Sequence, residues 1–429
     1  MSKSAEQKRV KIEQLSGFKQ LRRVSTLLSS LHEVGCGRDR ARNRELFFDD
    51  YVLLILLYLF NPLIDSMRTL QQAADLPQMQ KRLGIKRFSL GSFSESCRVF
   101  DPRMLQKVVE QLWRDLKPID REELLKQLPG KLTLVDATVI NTLCTITEAM
   151  YLPRGKRGGG GHRHAWRLHL QLDVDHHVPG AWEITDARNS GKSDEKSVLR
   201  RNLQPDHTYV MDRWYAQFTL WNDIKAAGGS YVCRVRDNSV YNVIQERMLS
   251  AQAVEAGILS DQVVQIGLSK KPHQRADHPT RLIRIKATPH RKRGKALGQQ
   301  HGTGPTSDGV LRIVTDLLDV PAEVIAFLYE YRWMIEVFFR FFKQILGCRH
   351  LLSTRKQGIQ IQVYAAVICC MLINSLTGRK PNKRMVVLMA FYLQGLATDE
   401  DVIKELNRPD RTGIKLRAKE ELWKKLGVH

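Results

Sequence analysis

The sequence lacks the long apolar runs from which membrane-spanning helices are built. Its two longest runs, residues 51–60 and 363–373, hold about ten residues each, whereas a helix needs roughly 20 to cross a bilayer. Residues 1–10 are polar and charged, and no apolar segment follows them that would serve as a secretion signal. We therefore expect two buried helices, no membrane partner and a place in the cytoplasm.

Cysteine is scarce and unpatterned as well. The 429 residues include seven cysteines, and none of them forms a Cys-x-x-Cys pair or stands at zinc-ligand spacing from a histidine. This pattern argues against a disulfide framework and against a zinc centre. The glycine spacing of a phosphate-binding loop is also missing, so the sequence predicts no nucleotide cofactor.

Acidic residues are too few to balance the basic ones. The chain has 45 Asp and Glu against 68 Lys and Arg, a formal net charge of +23. A surplus of this size is typical of proteins that bind a polyanion. Two basic, glycine-containing segments, 154–164 and 290–295, concentrate the charge, and we expect them to follow a DNA backbone in a salt-dependent manner. A generally basic, solvated surface is the alternative.

Hydrophobic periodicity divides the chain into five regions. Apolar residues three and four positions apart predict a helical N-terminal DNA-binding region over 1–130. The period then changes, and an α/β core follows in two parts, 131–236 and 311–378. An irregular, β-rich insertion at 237–310 separates the two parts, and a helical C-terminal region covers 379–429.

The first part of the core shows a regular order of elements. Three strands, a helix, a strand, a helix and a further strand follow one another along the chain. That order suits an α/β sheet in which an antiparallel meander leads into a parallel edge. The predicted strands cover residues 132–136, 167–174, 181–185, 208–212 and 231–235, and the predicted helices cover 195–203 and 216–227.

Asp136 and Asp212 each close one of these predicted strands. Both should lie at the carboxyl edge of the sheet, where open α/β folds place their sites. Two ionised carboxylates side by side repel each other unless a cation lies between them, and Mg²⁺ binds through such carboxylates together with substrate phosphate oxygens. A metal site is one interpretation, and an aspartate that caps a turn is the other.

A predicted helix near residue 330 carries one narrow polar stripe. At about 100° per residue, Tyr329, Arg332, Glu336 and Lys343 lie on one side of the helix, and Arg340 lies beside them. The opposite side is apolar and would hold the helix against a core. Glu336 could form a simple ion pair with Arg332 or Arg340, whereas phosphate-contacting donors beside a metal-binding carboxylate would explain the whole stripe.

The four stripe residues match the Tyr-x2-Arg-x3-Glu-x6-Lys signature of bacterial insertion-sequence transposases. From about residue 48 to 396 the chain resembles the insertion-sequence-four family of DD-E transposases. The resemblance implies an α/β fold with an RNase H-like catalytic core, interrupted by the β-rich insertion and flanked by helical N-terminal and C-terminal regions. It also implies cut-and-paste movement of an insertion sequence by two-metal phosphoryl transfer.

Site residues follow from the resemblance, position by position. Asp136, Asp212 and Glu336 become the catalytic residues that bind two Mg²⁺ ions, for which Mn²⁺ can substitute. The implied partners are double-stranded DNA, namely terminal inverted repeats and target DNA, and a second copy of the chain in a homodimer on the bacterial nucleoid. The residues implied to bind DNA are Tyr329, Arg332, Lys343, Arg340 and Arg213.

The sequence departs from the family pattern at Trp214, where many relatives have glycine after Asp-Arg. We interpret Trp214 as a packing residue, with base stacking as the alternative. His169, on the polar side of its predicted strand, is interpreted as structural. Two other functions stay open: a non-catalytic DNA-binding protein of transposase origin, and an RNase H-like nuclease that cuts DNA without rejoining it.

Overall fold

Alternating apolar side chains bury both faces of one large sheet. In the strand Lys131–Asn141, Leu132 and Leu134 belong to one buried cluster and Val135 belongs to another. The computed structural model therefore shows a mixed α/β fold with helices on both sides of the sheet. It describes residues 25–34, 44–61, 64–116, 118, 121, 123–141, 150–152, 163–267, 274–286, 309–345, 352–353, 355–377, 384–385, 387–388, 391 and 396–407.

The first five long strands of the sheet have the order and direction of an RNase H-like core. The strands of the described residues are β1 (Lys131–Asn141), β2 (Met150–Leu152), β3 (Arg163–Asp173), β4 (Pro179–Asp186), β5 (His207–Met211), β6 (Ser230–Arg234), β7 (Tyr241–Glu246), β8 (Ile258–Ile266), β9 (Thr280–Lys286) and β10 (Val310–Thr315). β3 pairs antiparallel with β1 and β4, whereas β1, β5 and β6 run parallel. The predicted antiparallel meander with a parallel edge is thus observed, and the RNase H-like fold is confirmed.

The β-rich insertion extends the same sheet. β10 pairs antiparallel with β6, and β9, β8 and β7 follow outward in that order. The insertion is β-rich as predicted, yet its described strands continue the core sheet instead of forming a layer of their own. The boundaries of the five regions stay a prediction. Residues 154–162 of the first basic segment, and the whole of the second, 290–295, lie outside the described residues.

Helices cover both faces of the sheet. Those with described bounds are α1 (Phe48–Phe60), α2 (Met67–Ala74), α3 (Pro77–Leu83), α4 (Leu90–Val99), α5 (Leu105–Asp115), α6 (Glu195–Arg201), α7 (Phe218–Ala226), α8 (Ala251–Glu255), α9 (Ala322–Tyr331), α10 (Trp333–Ile345), α11 (Lys356–Thr377) and α12 (Asp399–Leu406). Leu199 of α6 and Trp221 of α7 pack in one buried cluster, and α9, α10 and α11 contribute to the other. The helical N-terminal region is observed in the described residues as α1 to α5.

Helix α11 lies at the centre of the helical layer. It packs against α1, α4 and α5 of the N-terminal region. By length and composition, its stretch Lys356–Ser375 could cross a membrane, but 83% of the apolar window within it is buried inside the protein. Burial against other helices accounts for its apolar sequence, as predicted for residues 363–373.

The polar stripe lies on two helices, so the single continuous helix predicted for it is wrong. α9 ends at Tyr331 and α10 begins at Trp333. Between them the Arg332 N–H donates to the Tyr329 carbonyl at 3.1 Å, and the Ile335 N–H donates to the Arg332 carbonyl at 3.3 Å. Both bonds span three residues, the pattern of a 3₁₀ turn. α9 is buried on nearly all sides whereas α10 is amphipathic, and the turn lets the two helices pack differently.

Candidate active site

The parallel pairing of β1 with β5 places Asp136 beside Asp212. The ladder pairs Leu134 with Val210, and each aspartate lies two residues further along. Because neighbouring strands lie roughly 4.8 Å apart, the two aspartates are neighbours at the end of the parallel ladder, as the strand order predicted.

Asp136 does not end its strand, and this part of the prediction is wrong. β1 continues to Asn141 because antiparallel β3 accompanies it, with Leu170 opposite Asp136. Only the parallel partner stops earlier, at Met211, and Asp212 follows it directly. Asp136 is therefore held by the ladder of a continuing strand, which gives its backbone a fixed position.

Burial and neighbouring charge disfavour an ionised Asp136. The pKa of this carboxyl is raised from 3.8 to about 7, mainly by burial and also by the carboxylates of Asp212 and Glu195. A hydrogen bond from the Ala137 N–H, at 2.8 Å, and the charge of Arg332 act in the opposite direction. Among the ion pairs of the described residues, none involves Asp136 or Asp212.

Asp212 also shapes the local backbone. Its Oδ1 accepts a hydrogen bond from the Trp214 N–H at 2.8 Å and so begins a short 3₁₀ helix over Arg213–Tyr215. The turn-capping role that the sequence left open for this residue is thus observed. One carboxylate oxygen serves the turn, and this contact fixes the direction of the side chain.

Glu336 lies on α10, the helix that packs against β1. The Arg332 Nη2 lies 2.9 Å from Glu336 Oε1, which is the i,i+4 ion pair considered from the sequence. In the part of the chain that the structure describes, no three His, Cys, Asp or Glu side chains converge closely enough to hold a metal ion. The fold therefore brings Asp136 and Asp212 together, while the carboxylate of Glu336 is held by Arg332.

The residues predicted to contact DNA divide into two groups. Tyr329 is buried, and burial raises its pKa. Its ring lies 6.0 Å from the Arg332 guanidinium carbon. Charge interactions link these two residues to the aspartates. Arg340 lies over the ring of Trp333 and Lys343 lies in the last turn of α10. Arg213 lies in the 3₁₀ turn after Asp212. Among the described residues, Arg340, Lys343 and Arg213 form no hydrogen bond or ion pair with the three carboxylates.

The sequence did not single out Glu195 and Tyr215, which lie beside the aspartates. Glu195 begins α6, is buried, forms an ion pair with Arg167 and accepts a hydrogen bond from the Tyr215 hydroxyl. It lines a small cavity of about 20 Å³ together with Asp136 and Tyr215, room for about one water molecule. An acidic residue in the first turn of a helix is usually explained by the helix dipole, so its sequence position carried no signal of this neighbourhood.

Trp214 is exposed, so its interpretation as a packing residue is wrong. Half of the residue, 50%, is accessible to solvent. The Lys196 Nζ lies 4.7 Å from the centre of its ring. His169, in contrast, is buried and pairs with the Thr185 hydroxyl at 2.7 Å, in agreement with a structural role.

Known proteins that resemble this chain show the family to which it belongs. A family model described as a transposase DDE domain matches residues 128–372, more than half of the chain. The chain is 25% identical over 233 residues to the putative transposase y4zB of Sinorhizobium fredii (strain NBRC 101917 / NGR234), covering 53% of this chain and 59%, less than two thirds, of that relative.

Two further proteins are similar. Identity is 24% over 298 residues with the probable transposase for insertion sequence element IS5377 of Geobacillus stearothermophilus, covering 68% of each chain. A solved synaptic complex of piggyBac transposase with hairpin DNA has a TM-score of 0.42 at 10% identity, covering 94% of this chain and 84% of that chain. On its domain match, the chain belongs to the DDE transposase family and is related to bacterial insertion-sequence transposases.

Proposed function

We propose that this transposase catalyses metal-dependent DNA cleavage and strand transfer, and so moves an insertion sequence by cut and paste. The observation that carries the proposal is the pair of neighbouring aspartates at the end of the β1–β5 ladder. The pKa of Asp136 is raised to about 7 there even though the charge of Arg332 acts against the rise, and neither aspartate forms an ion pair among the described residues. A divalent cation between such carboxylates would remove their repulsion.

The donor atoms of this site fit Mg²⁺. Asp136, Asp212 and Glu336 offer carboxylate oxygens, which Mg²⁺ prefers and which also accept Mn²⁺. Glu336 would bind the metal ion after its carboxylate leaves Arg332. Its side chain is 35% exposed, so it has room to rotate. Two bound ions would supply an activated attacking oxygen and a stabilised leaving oxygen on the DNA phosphate.

The remaining side chains would position the DNA strand. Once released from Glu336, the Arg332 guanidinium can pair with two oxygens of a phosphate, and Tyr329 lies beside it. Arg213, Arg340 and Lys343 add positive charge on the turn after Asp212 and along α10. Terminal inverted repeats and target DNA are the proposed substrates, bound by a homodimer without a nucleotide cofactor.

Single substitutions of the three carboxylates test this function. Asp136→Ala, Asp212→Ala and Glu336→Ala should each abolish Mg²⁺-dependent strand transfer of terminal-repeat DNA, because each removes oxygen ligands. DNA binding in a gel-shift assay should persist. Glu330→Ala is the matched control, since Glu330 is an exposed acid on α9, and this variant should keep wild-type activity.

The outcome of the same assay separates the alternative functions. Cleavage of the repeat end without joining would indicate an RNase H-like nuclease. Binding without either reaction in the wild-type protein would indicate a non-catalytic DNA-binding protein. Unchanged strand transfer in one of the three variants would remove that residue from the site.

A further inference from the structure

Trp214 presents an aromatic surface next to the candidate active site. It follows Asp212 by two residues and is 50% exposed. Exposure alone does not make a binding site, because single apolar side chains on a surface are common. Two contacts of Trp214, together with its place next to Asp212, give this tryptophan a further role.

The first contact fixes the position of the residue. The Trp214 N–H donates to Asp212 Oδ1 at 2.8 Å, and the next residue, Tyr215, is buried and bonded to Glu195. The N–H of Trp214 and the side chain of the residue that follows it are thus bonded to carboxylates of the site. A platform fixed before its ligand arrives loses little conformational freedom when the ligand binds.

The second contact supplies a positive charge on the ring. Lys196 Nζ lies 4.7 Å from the ring centre, within the range of a cation–π interaction. Its distance to Asp194 Oδ1 is 4.0 Å, at the outer limit of an ion pair. Lys196 thus lies over the indole, and half of the tryptophan stays exposed to solvent.

We propose that Trp214 binds an unstacked nucleobase of the DNA strand that is cut at Asp136 and Asp212. An aromatic ring beside a cation is the combination that holds single-stranded nucleic acid, because the ring stacks on a base and the cation neutralises the backbone. Lys196, which lies over the ring, and Arg213, which precedes Trp214 in the chain, are both charged. Their charge disfavours an apolar protein segment as the ligand. This inference rests on the proposed function for the identity of the DNA.

A thermodynamic cycle between the protein and the DNA tests the proposal. Binding of a terminal-repeat duplex is measured by fluorescence anisotropy without divalent metal, so that no cleavage occurs. A single abasic site is moved one nucleotide at a time across the cleavage position. Trp214→Ala should weaken binding of the intact duplex by about 5- to 150-fold, the range for loss of one stacked base, and this loss should vanish at one abasic position. Trp214→Phe should keep most of the affinity.

Control measurements separate stacking from other causes. Ile244→Ala removes an apolar side chain that is 61% exposed on β7, at the far edge of the sheet, and should leave the affinity unchanged. Repeating the series with target DNA shows whether the base comes from the element end or from the target. An equal loss at every abasic position, or no loss with Trp214→Ala, overturns the proposal.

The readout is independent of catalysis. If wild-type protein shows the coupling at one nucleotide but no strand transfer, the proposed function fails and the stacking site stands. If strand transfer occurs but no abasic position shows coupling to Trp214→Ala, the proposed function stands and the stacking site fails. Equal thermal unfolding of wild type and Trp214→Phe would show that the comparison reports on binding and not on folding.

Discussion

The imidazole of His169 is kept out of water next to the candidate active site. The residue is 5% exposed, and burial lowers its pKa from 6.5 to about 4. The charge of Arg167 acts in the same direction. The folded protein therefore holds this histidine neutral at pH values at which the unfolded chain binds a proton.

Acid should destabilise the protein through His169. Between pH 6.5 and about 4 the unfolded state binds one proton more than the folded state, so stability is complete above pH 6.5 and falls as the pH decreases. The total effect is about 3 kcal/mol. In His169→Gln, urea unfolding should show a correspondingly weaker loss between pH 7 and 4. If the free energies of unfolding of wild type and His169→Gln changed in parallel with pH, this assignment would be wrong. The difference between the two proteins at pH 8 serves as the reference.

The three acidic residues of the proposed triad were predicted from the sequence and stay a prediction, whereas their surroundings were only partly predicted. Asp136 and Asp212 each follow a short apolar run in the sequence, and Glu336 belongs to a motif with fixed spacing. Glu195 lines the same cavity as Asp136 because the fold places the start of α6 beside β1. The exposure of Trp214 likewise depends on the turn after Asp212, which no local pattern encodes.

At the scale of elements, the five strands predicted for the first part of the core lie within a few residues of their observed ends, whereas β2, β7 and β10 were not predicted. The largest error concerns β1, which continues to Asn141 because β3 accompanies it. Pairing partners decide where a strand stops, and a short apolar run does not show them. The break at Arg332 was missed because no proline or glycine near it marks the end of a helix, and the turn accompanies the different packing of α9 and α10.

Gly130 precedes β1 and controls how this strand joins β5. Its φ is +64°, and an added Cβ would lie 2.4 Å from the Asp206 carbonyl oxygen. That carbonyl accepts a hydrogen bond from the Lys131 N–H at 2.9 Å, next to the first pair of the β1–β5 ladder. A side chain here would disturb the register that places Asp136 beside Asp212.

Gly130→Ala should lower the free energy of unfolding by about 2–5 kcal/mol, the sum of a left-handed conformation and an overpacked contact. Gly84→Ala is the matched control, because Gly84 has a φ of +72° with no atom within 4 Å of the added Cβ. It should cost only about 1–2 kcal/mol. Urea unfolding measures the loss of stability in both variants. Equal losses would contradict a role for the Asp206 contact.

At the scale of the whole molecule, a buried ion pair ties the insertion to the core. Arg281 of β9 and Asp261 of β8 are both nearly inaccessible, with Nη2 and Oδ2 2.6 Å apart. Arg281 Nη1 also donates to the Leu317 carbonyl at 3.2 Å, and it bonds the Val320 carbonyl just before α9. The strands of the insertion are thus joined to the chain that leads into the helix of Tyr329.

Arg281→Ala should destabilise the whole protein by about 3 kcal/mol, because it leaves a buried carboxylate and buried carbonyls without their partner. The estimate is at the low end of the range since Arg247 also approaches Asp261, at 3.5 Å. Arg87→Ala, which breaks an exposed pair with Asp75, should cost less than about 1 kcal/mol. A separate early transition of the insertion, seen by hydrogen exchange, would contradict a single cooperative sheet.

The position of α11 at the centre of the helical layer has a consequence for synthesis on the ribosome. Helices α1, α4 and α5 are made early, but the helix that they surround ends only at Thr377. Contacts between such distant parts of a chain form slowly, so the nascent N-terminal helices keep their apolar sides without this native partner until the ribosome has passed Thr377. A chain that stops just before this helix should therefore aggregate, although it still contains Asp136, Asp212 and Glu336.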